Sequence, residues 1–216
     1  VAPRKARRIY ITDTEINHVA HRLAQPTDVI IPTHFIDSLA GPLMKKKCKF
    51  HRIDGLHGHV HLHPHIRPVS VSDPPKVIVR RLIGNGIHDG DEITIIPEDW
   101  LEGLEVTNAD ENQYEENPWD LTNKISRMNG VITQSVTLAS EAVLLGVPTL
   151  LVSKAKRGFL DRLLEEGYPL FIARDADASI LAAWLAGLHL TDALEEPDWP
   201  NTRSELIDHI KAVSYT

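Results

Sequence analysis

Beyond Asn129 this sequence leaves little choice of architecture, because short apolar runs alternate with helix-length segments and turn residues separate them. Val131–Thr133, Thr149–Val152 and Leu170–Ala173 read as buried strands. Thr137–Leu145, Gly158–Glu166 and Ser179–Leu188 read as helices, with Gly146 and Gly167 where helix-ending glycines belong. Strands that alternate with helices in this way pair in parallel and bury both faces. The expected fold class is therefore α/β, a doubly wound parallel sheet of Rossmann-like type.

The first part of the chain carries the same alternation in shorter form. Ile9–Ile11 reads as a strand, Thr12-Asp13-Thr14-Glu15 as a capping box, and Ile16, Val19, Ala20 and Leu23 as one helical stripe ended by Gln25-Pro26. Asp28–Pro32 and Lys49–Ile53 follow as strands, the latter after a loop with Gly41-Pro42 and three lysines. Residues 55–75 read as a connector, since Gly55, Gly58, Pro64, Pro68, Pro74 and Pro75 break any long element. The expected organisation is an amino-terminal α/β portion over 1–54, a His/Pro-rich connector over 55–75, and a carboxy-terminal domain over 76–216. In that last domain Val77–Val79 and Ile93–Ile96 read as strands. Asn117-Pro118 starts a helix to Met128, and Thr202-x-x-Glu205 caps a final helix that packs back toward the connector.

Charge narrows the partners. Residues 1–75 carry 11 Lys/Arg against 6 Asp/Glu, whereas residues 76–216 carry 12 against 24. The acidic second part is unsuited to nucleic acid, which needs clustered cations. The basic clusters Arg4–Arg8 and Lys45–Lys49 read as a solvated tail and loop. No apolar run is long enough to span a bilayer, no secretory leader precedes Ile9, and Cys48 is the only cysteine, so a cytoplasmic location is expected. Trp100, Trp119, Trp184 and Trp199 are read as packing residues.

The chemistry concentrates between Asn129 and Val152. A strand ending at Thr133 meets a short polar turn, Gln134-Ser135, and then a helix, so the turn lies at the carboxyl end of a parallel strand, where such sheets bind ligands. Free N–H groups at the helix start suit phosphate oxygens, and Ser135, Thr137 and Ser140 add hydroxyls. Glu141, about one turn in, is acceptor-only when ionised and suits vicinal hydroxyls. The plainer alternative is that Ser135 or Thr137 is an N-cap and Glu141 answers the helix dipole.

Thr137-Leu-Ala-Ser140-Glu141-Ala142-Val-Leu-Leu-Gly146-Val-Pro148 resembles the carboxy-terminal signature of GT-B-type proteins. It is similar to UDP-N-acetylglucosamine 2-epimerases, to the cell-wall N-acetylglucosaminyltransferase and to a related family of predicted glycosyltransferases. That last family is also resembled at Val77-Ile-Val-Arg80, at Ile87-His88-Asp89 and across Gly55 to Pro64. The resemblance implies a nucleotide-diphosphate sugar as ligand, Glu141 on its ribose, and Ser135, Thr137 and Ser140 near its diphosphate. Arg80, His88 and Asp89 would lie across the cleft and offset charge. It implies metal-independent glycosyl transfer with no cofactor, an unknown acceptor and a general base from the amino-terminal half. Three departures stand against the family pattern. Ser135-Val136 replaces a glycine pair, the span from Asp89 to Asn117 is short, and only residues 1–54 precede the connector. The chain is thus read as a fragment, or as a protein that has shed its acceptor-binding half, which a partner chain could restore.

Two rival readings remain. His57, His59, His61, His63 and His65 alternate, so an extended segment would aim all five to one side, and His57, His59 and His61 are the alternative metal ligands of a metal-dependent hydrolase. The other rival is a non-catalytic nucleotide-binding relic. Gly84-Asn85-Gly86-Ile-His88-Asp89-Gly90 is misspaced for a dinucleotide fingerprint.

Overall fold

The computed structural model describes residues 6–41, 48–63, 70–83, 94–110, 112, 117, 120–175, 177–188 and 198–214. These form an α/β protein with two parallel sheets. The three-stranded sheet contains β1 (Ile9–Ile11), β2 (Asp28–Pro32) and β3 (Lys49–Ile53), in that order. The five-stranded sheet contains β4 (Lys76–Arg80), β5 (Glu105–Asn108), β6 (Gly130–Thr133), β7 (Thr149–Val152) and β8 (Leu170–Ala173), in the order β5-β4-β6-β7-β8. The helices are α1 (His18–Ala24), α2 (Gly58–His61), α3 (Leu121–Ile125), α4 (Val136–Leu144), α5 (Gly158–Glu165), α6 (Ala178–Gly187) and α7 (Thr202–Ser214). No described helix is long and apolar enough to cross a membrane.

The chain divides into two compact units. The first gathers Val1–His63, Arg157–Phe159 and Asp198–Thr216; the second gathers Pro64–Lys156 and Leu160–Pro197. The expected domain over 76–216 included the final helix, whereas α7 groups with the first unit, because it packs on α2 and β3.

In the first unit β2 is buried along its whole length, flanked by β1 and β3. Asp28, at its start, is buried too. Its carboxylate accepts from Thr27 Oγ1 (2.7 Å), His51 Nε2 (3.0 Å) and an Arg7 guanidinium N–H (3.2 Å). Burial pushes this acid up, but these hydrogen bonds and the Arg7 charge outweigh it and hold it below the usual carboxylate range. The expected capping box is not one. The N-cap of α1 is Asn17, and Thr12 Oγ1 closes a local turn with Thr14. Glu15 is fully buried, and its Oε1 accepts from Ile36 N (3.1 Å) and Gly158 N (2.9 Å). A side chain at Gly158 would run into the His34 carbonyl, so glycine admits this approach. The expected stripe on α1 is also turned: Leu23 is 77% exposed, while His21 is buried edge-on against Tyr10.

The second unit buries β6 and β7 on both faces, as parallel strands under helices require. Val77, Val79, Ile132, Leu150, Val152, Trp100 and Trp184 form its core. Trp184 is wholly buried and donates its indole N–H to Pro148 O (3.0 Å). Gly130 lacks a side chain because a Cβ there would meet Trp184 and Leu188 at 2.6 Å. Asn129, just before β6, pins the run into β4: its Oδ1 accepts from Ser72 N, Ser72 Oγ and Lys76 N, and its Nδ2 donates to Ser70 O.

Two expected elements differ. Thr94–Ile96 is not a strand (Ile93 lies outside the described residues); Thr94 instead bonds Arg174 O and Gln134, and Ile95 points to solvent. The strand there is β5, an edge strand whose polar Glu-Val-Thr-Asn sequence hides it from a hydrophobicity search. The helix expected from Asn117 to Met128 is the shorter α3, with Pro118 outside the described residues.

Candidate functional site

The geometry of interest lies at the carboxyl ends of β4 and β6. Chain order and sheet order disagree there: β4 is followed by β5 on one side, then by β6, β7 and β8 on the other. The strand order thus reverses between β4 and β6, and open α/β sheets bind ligands in the crevice at such a point. In register, Arg80 ends β4 opposite Thr133, which ends β6.

The turn that leaves β6 is built by its own side chains. Thr133 Oγ1 donates to Arg80 O (3.3 Å) and accepts from Ser135 N (2.9 Å). Gln134 is buried and reaches across two loops: its Oε1 accepts from Leu82 N (2.7 Å) and its Nε2 donates to Thr94 O (2.8 Å). The sequence reading treated Gln134 only as a turn residue. A long polar side chain directly behind a strand that reads as buried is the signal that would have found it, since a buried amide must be hydrogen-bonded.

Ser135 is the N-cap of α4, its hydroxyl accepting from Leu138 N (3.3 Å). Ala139 N bonds Ser135 O, and among the described residues the N–H groups of Val136 and Thr137 at the helix start have no partner, so they can meet an outside acceptor. No acidic residue stands in the first turn, so the positive end of the helix dipole is uncancelled there. Thr137 is exposed and Glu141 half-buried beyond it. Ser140, expected among the diphosphate donors, is buried, and its hydroxyl donates to Thr137 O (2.8 Å). Its proton is spent inside the helix. Arg80 is half-buried and its guanidinium donates to Ala109 O (3.3 Å). His88 and Asp89 lie outside the described residues.

Residues Ser135, Thr137 and Arg80 therefore share one end of the second unit, and Glu141 stands further along α4. The histidines do not form the row that an extended segment would give. Residues 58–61 are a helical turn, so His57 and His61 lie on one side with ring centroids 4.8 Å apart and planes tilted by 49°. His59 turns the other way into the interior, accepting from Leu56 N through Nδ1 (3.0 Å) and packing on Trp199. Gly58 and the local i to i+4 bond from Leu62 N to Gly58 O favour the turn over an extended run. His63 is described without a helix or strand, and His65 lies outside the described residues.

No protein-family model, curated protein or solved structure matches the chain.

Proposed function

We propose that the chain binds a nucleotide-diphosphate sugar as a glycosyltransferase-like protein of GT-B type. In this reading Glu141 accepts from the two ribose hydroxyls, and the free N–H groups of Val136 and Thr137, with the Thr137 hydroxyl, hold the diphosphate. Arg80 offsets charge on the departing nucleotide. Ser140 acts only by fixing the first turn of α4. No metal enters this scheme, and no residue is assigned as general base.

One observation supports the reading: the N–H groups of Val136 and Thr137, which the Ser135 cap does not engage, lie at the reversal of strand order between β4 and β6. The likeness of Thr137–Pro148 to the GT-B signature supplies the kind of nucleotide. Calorimetric titration with UDP, GDP, CDP and dTDP in EDTA tests it, beside Glu141→Ala. One diphosphate is expected to bind, with affinity falling roughly ten-fold or more in the variant, the worth of a charged hydrogen-bond acceptor. Failure of all four to bind would remove the reading. Binding without transfer from the matching sugar donor would mark a nucleotide-binding module instead of a transferase.

A further inference from the structure

The first unit holds a cavity of about 360 Å³ at the carboxyl ends of its three parallel strands, and every residue that lines it belongs to that unit. Ile11, Ile31 and Ile53, one from each strand, meet Val60 of α2 and Leu206 of α7 around it. Ile11 is 49% exposed although it ends a strand, so apolar surface lies open at this point. Size, apolar lining and position are those of a small-molecule site in a parallel sheet.

Few polar groups interrupt this lining, and most are already engaged. The Thr12 hydroxyl is bonded within its own turn, and the Thr202 hydroxyl donates to Pro200 O (3.4 Å). Asp13 differs: among the described residues its carboxylate has no hydrogen bond or ion pair, and its charge is felt at Tyr10, whose hydroxyl is pushed up by burial and by Asp13. No lysine or arginine lines the cavity, and His57 is the other titratable group there. The local field thus favours a cation over an anion, within walls that favour hydrocarbon.

We propose that this cavity binds a small, mainly apolar molecule that carries a protonated amine, with the amine paired to the Asp13 carboxylate. The proposal does not rest on the nucleotide reading.

The test uses 2-phenylethylamine as probe and 3-phenylpropionate as its anionic counterpart, followed through the isoleucine methyl signals of the labelled full chain. The amine is expected to shift the methyls of Ile11, Ile31 and Ile53 saturably. The acid should bind roughly ten-fold more weakly, because a half-exposed ion pair is replaced by repulsion. Asp13→Asn should erase most of that difference while leaving the remaining methyl spectrum in place. Val60→Phe, which fills the cavity from α2, should weaken both probes. Absence of saturable shifts at these three methyls would overturn the proposal. So would equal affinity for amine and acid in the unaltered chain.

Discussion

Gln134 shows how much one buried amide can organise. Its two ends satisfy a donor at Leu82 and an acceptor at Thr94, so replacing it by an apolar residue orphans both. Gln134→Leu is expected to cost about 1–3 kcal/mol in denaturant unfolding, the range for leaving buried polar groups unpaired. Asp28 gives a prediction in pH. Its folded pKa is depressed, so its contribution is present above the unfolded value, near pH 3.9, and is lost as pH falls through the lower folded value. The wild-type melting temperature should therefore drop on acidification below about pH 4. Asp28→Asn should start lower at pH 7 and show a flatter acid limb, and an unchanged limb would contradict this account. At this scale the sequence was a partial guide. It marked Ser135, Thr137, Ser140 and Glu141 as polar groups near a helix start, but residue type alone does not say where a hydroxyl proton goes. Ser140 spends its proton on Thr137 O, and Ser135 spends its lone pair on Leu138 N.

Elements were legible where pattern and punctuation agreed. β6, α4, Gly146 and β7 follow the reading from Val131 to Val152 closely, and Gly146 adopts φ +75°, which only glycine takes at little cost. Elements were missed where a local signal was overridden. Thr12 and Glu15 have capping-box spacing, yet Glu15 is drawn into the interior by two backbone donors distant in sequence, at Ile36 and Gly158. The alternating histidines would share one side only in an extended run, which Gly58 and Pro64 argue against, and residues 58–61 form a short helical turn. β5 was invisible because an edge strand with one neighbour needs little apolar sequence. The cap on α4 is testable by itself: Ser135→Ala should lower stability by about 1 kcal/mol, whereas Ser135→Asp should preserve it. Both variants can be read by chemical unfolding. If Ser135→Ala proved neutral, Leu138 N would have found another acceptor.

For the whole molecule, sequence pattern indicated α/β with parallel strands, and the structure has that class. Pattern could not reveal that strand order reverses between β4 and β6, since pairing partners are set by long-range packing that no local window contains. It did place the final helix back against the connector, and α7 packs there on α2 and also on β3. The five-stranded unit has one dominant anchor, Trp184, fixed by its indole bond to Pro148 O and packed where Gly130 makes room. Trp184→Ala should cost about 3–5 kcal/mol, as other buried large-to-small changes do. A smaller loss would mean that neighbouring helices close over the gap.

The first unit is assembled from three stretches of chain, of which the last is Asp198–Thr216. Contacts of such high sequence separation form late and slowly, because a long loop must close before they return any energy. On a ribosome, which releases the amino-terminal part first, β1 to β3 emerge long before the helix that supplies Thr202 and Leu206 to their cavity. Until that helix arrives, the carboxyl ends of three strands and the apolar surface between them stay uncovered. The order of synthesis thus makes α7 the closing piece of the first unit, and a nascent chain stalled before it presents a sticky, half-built sheet to whatever chaperone is at hand.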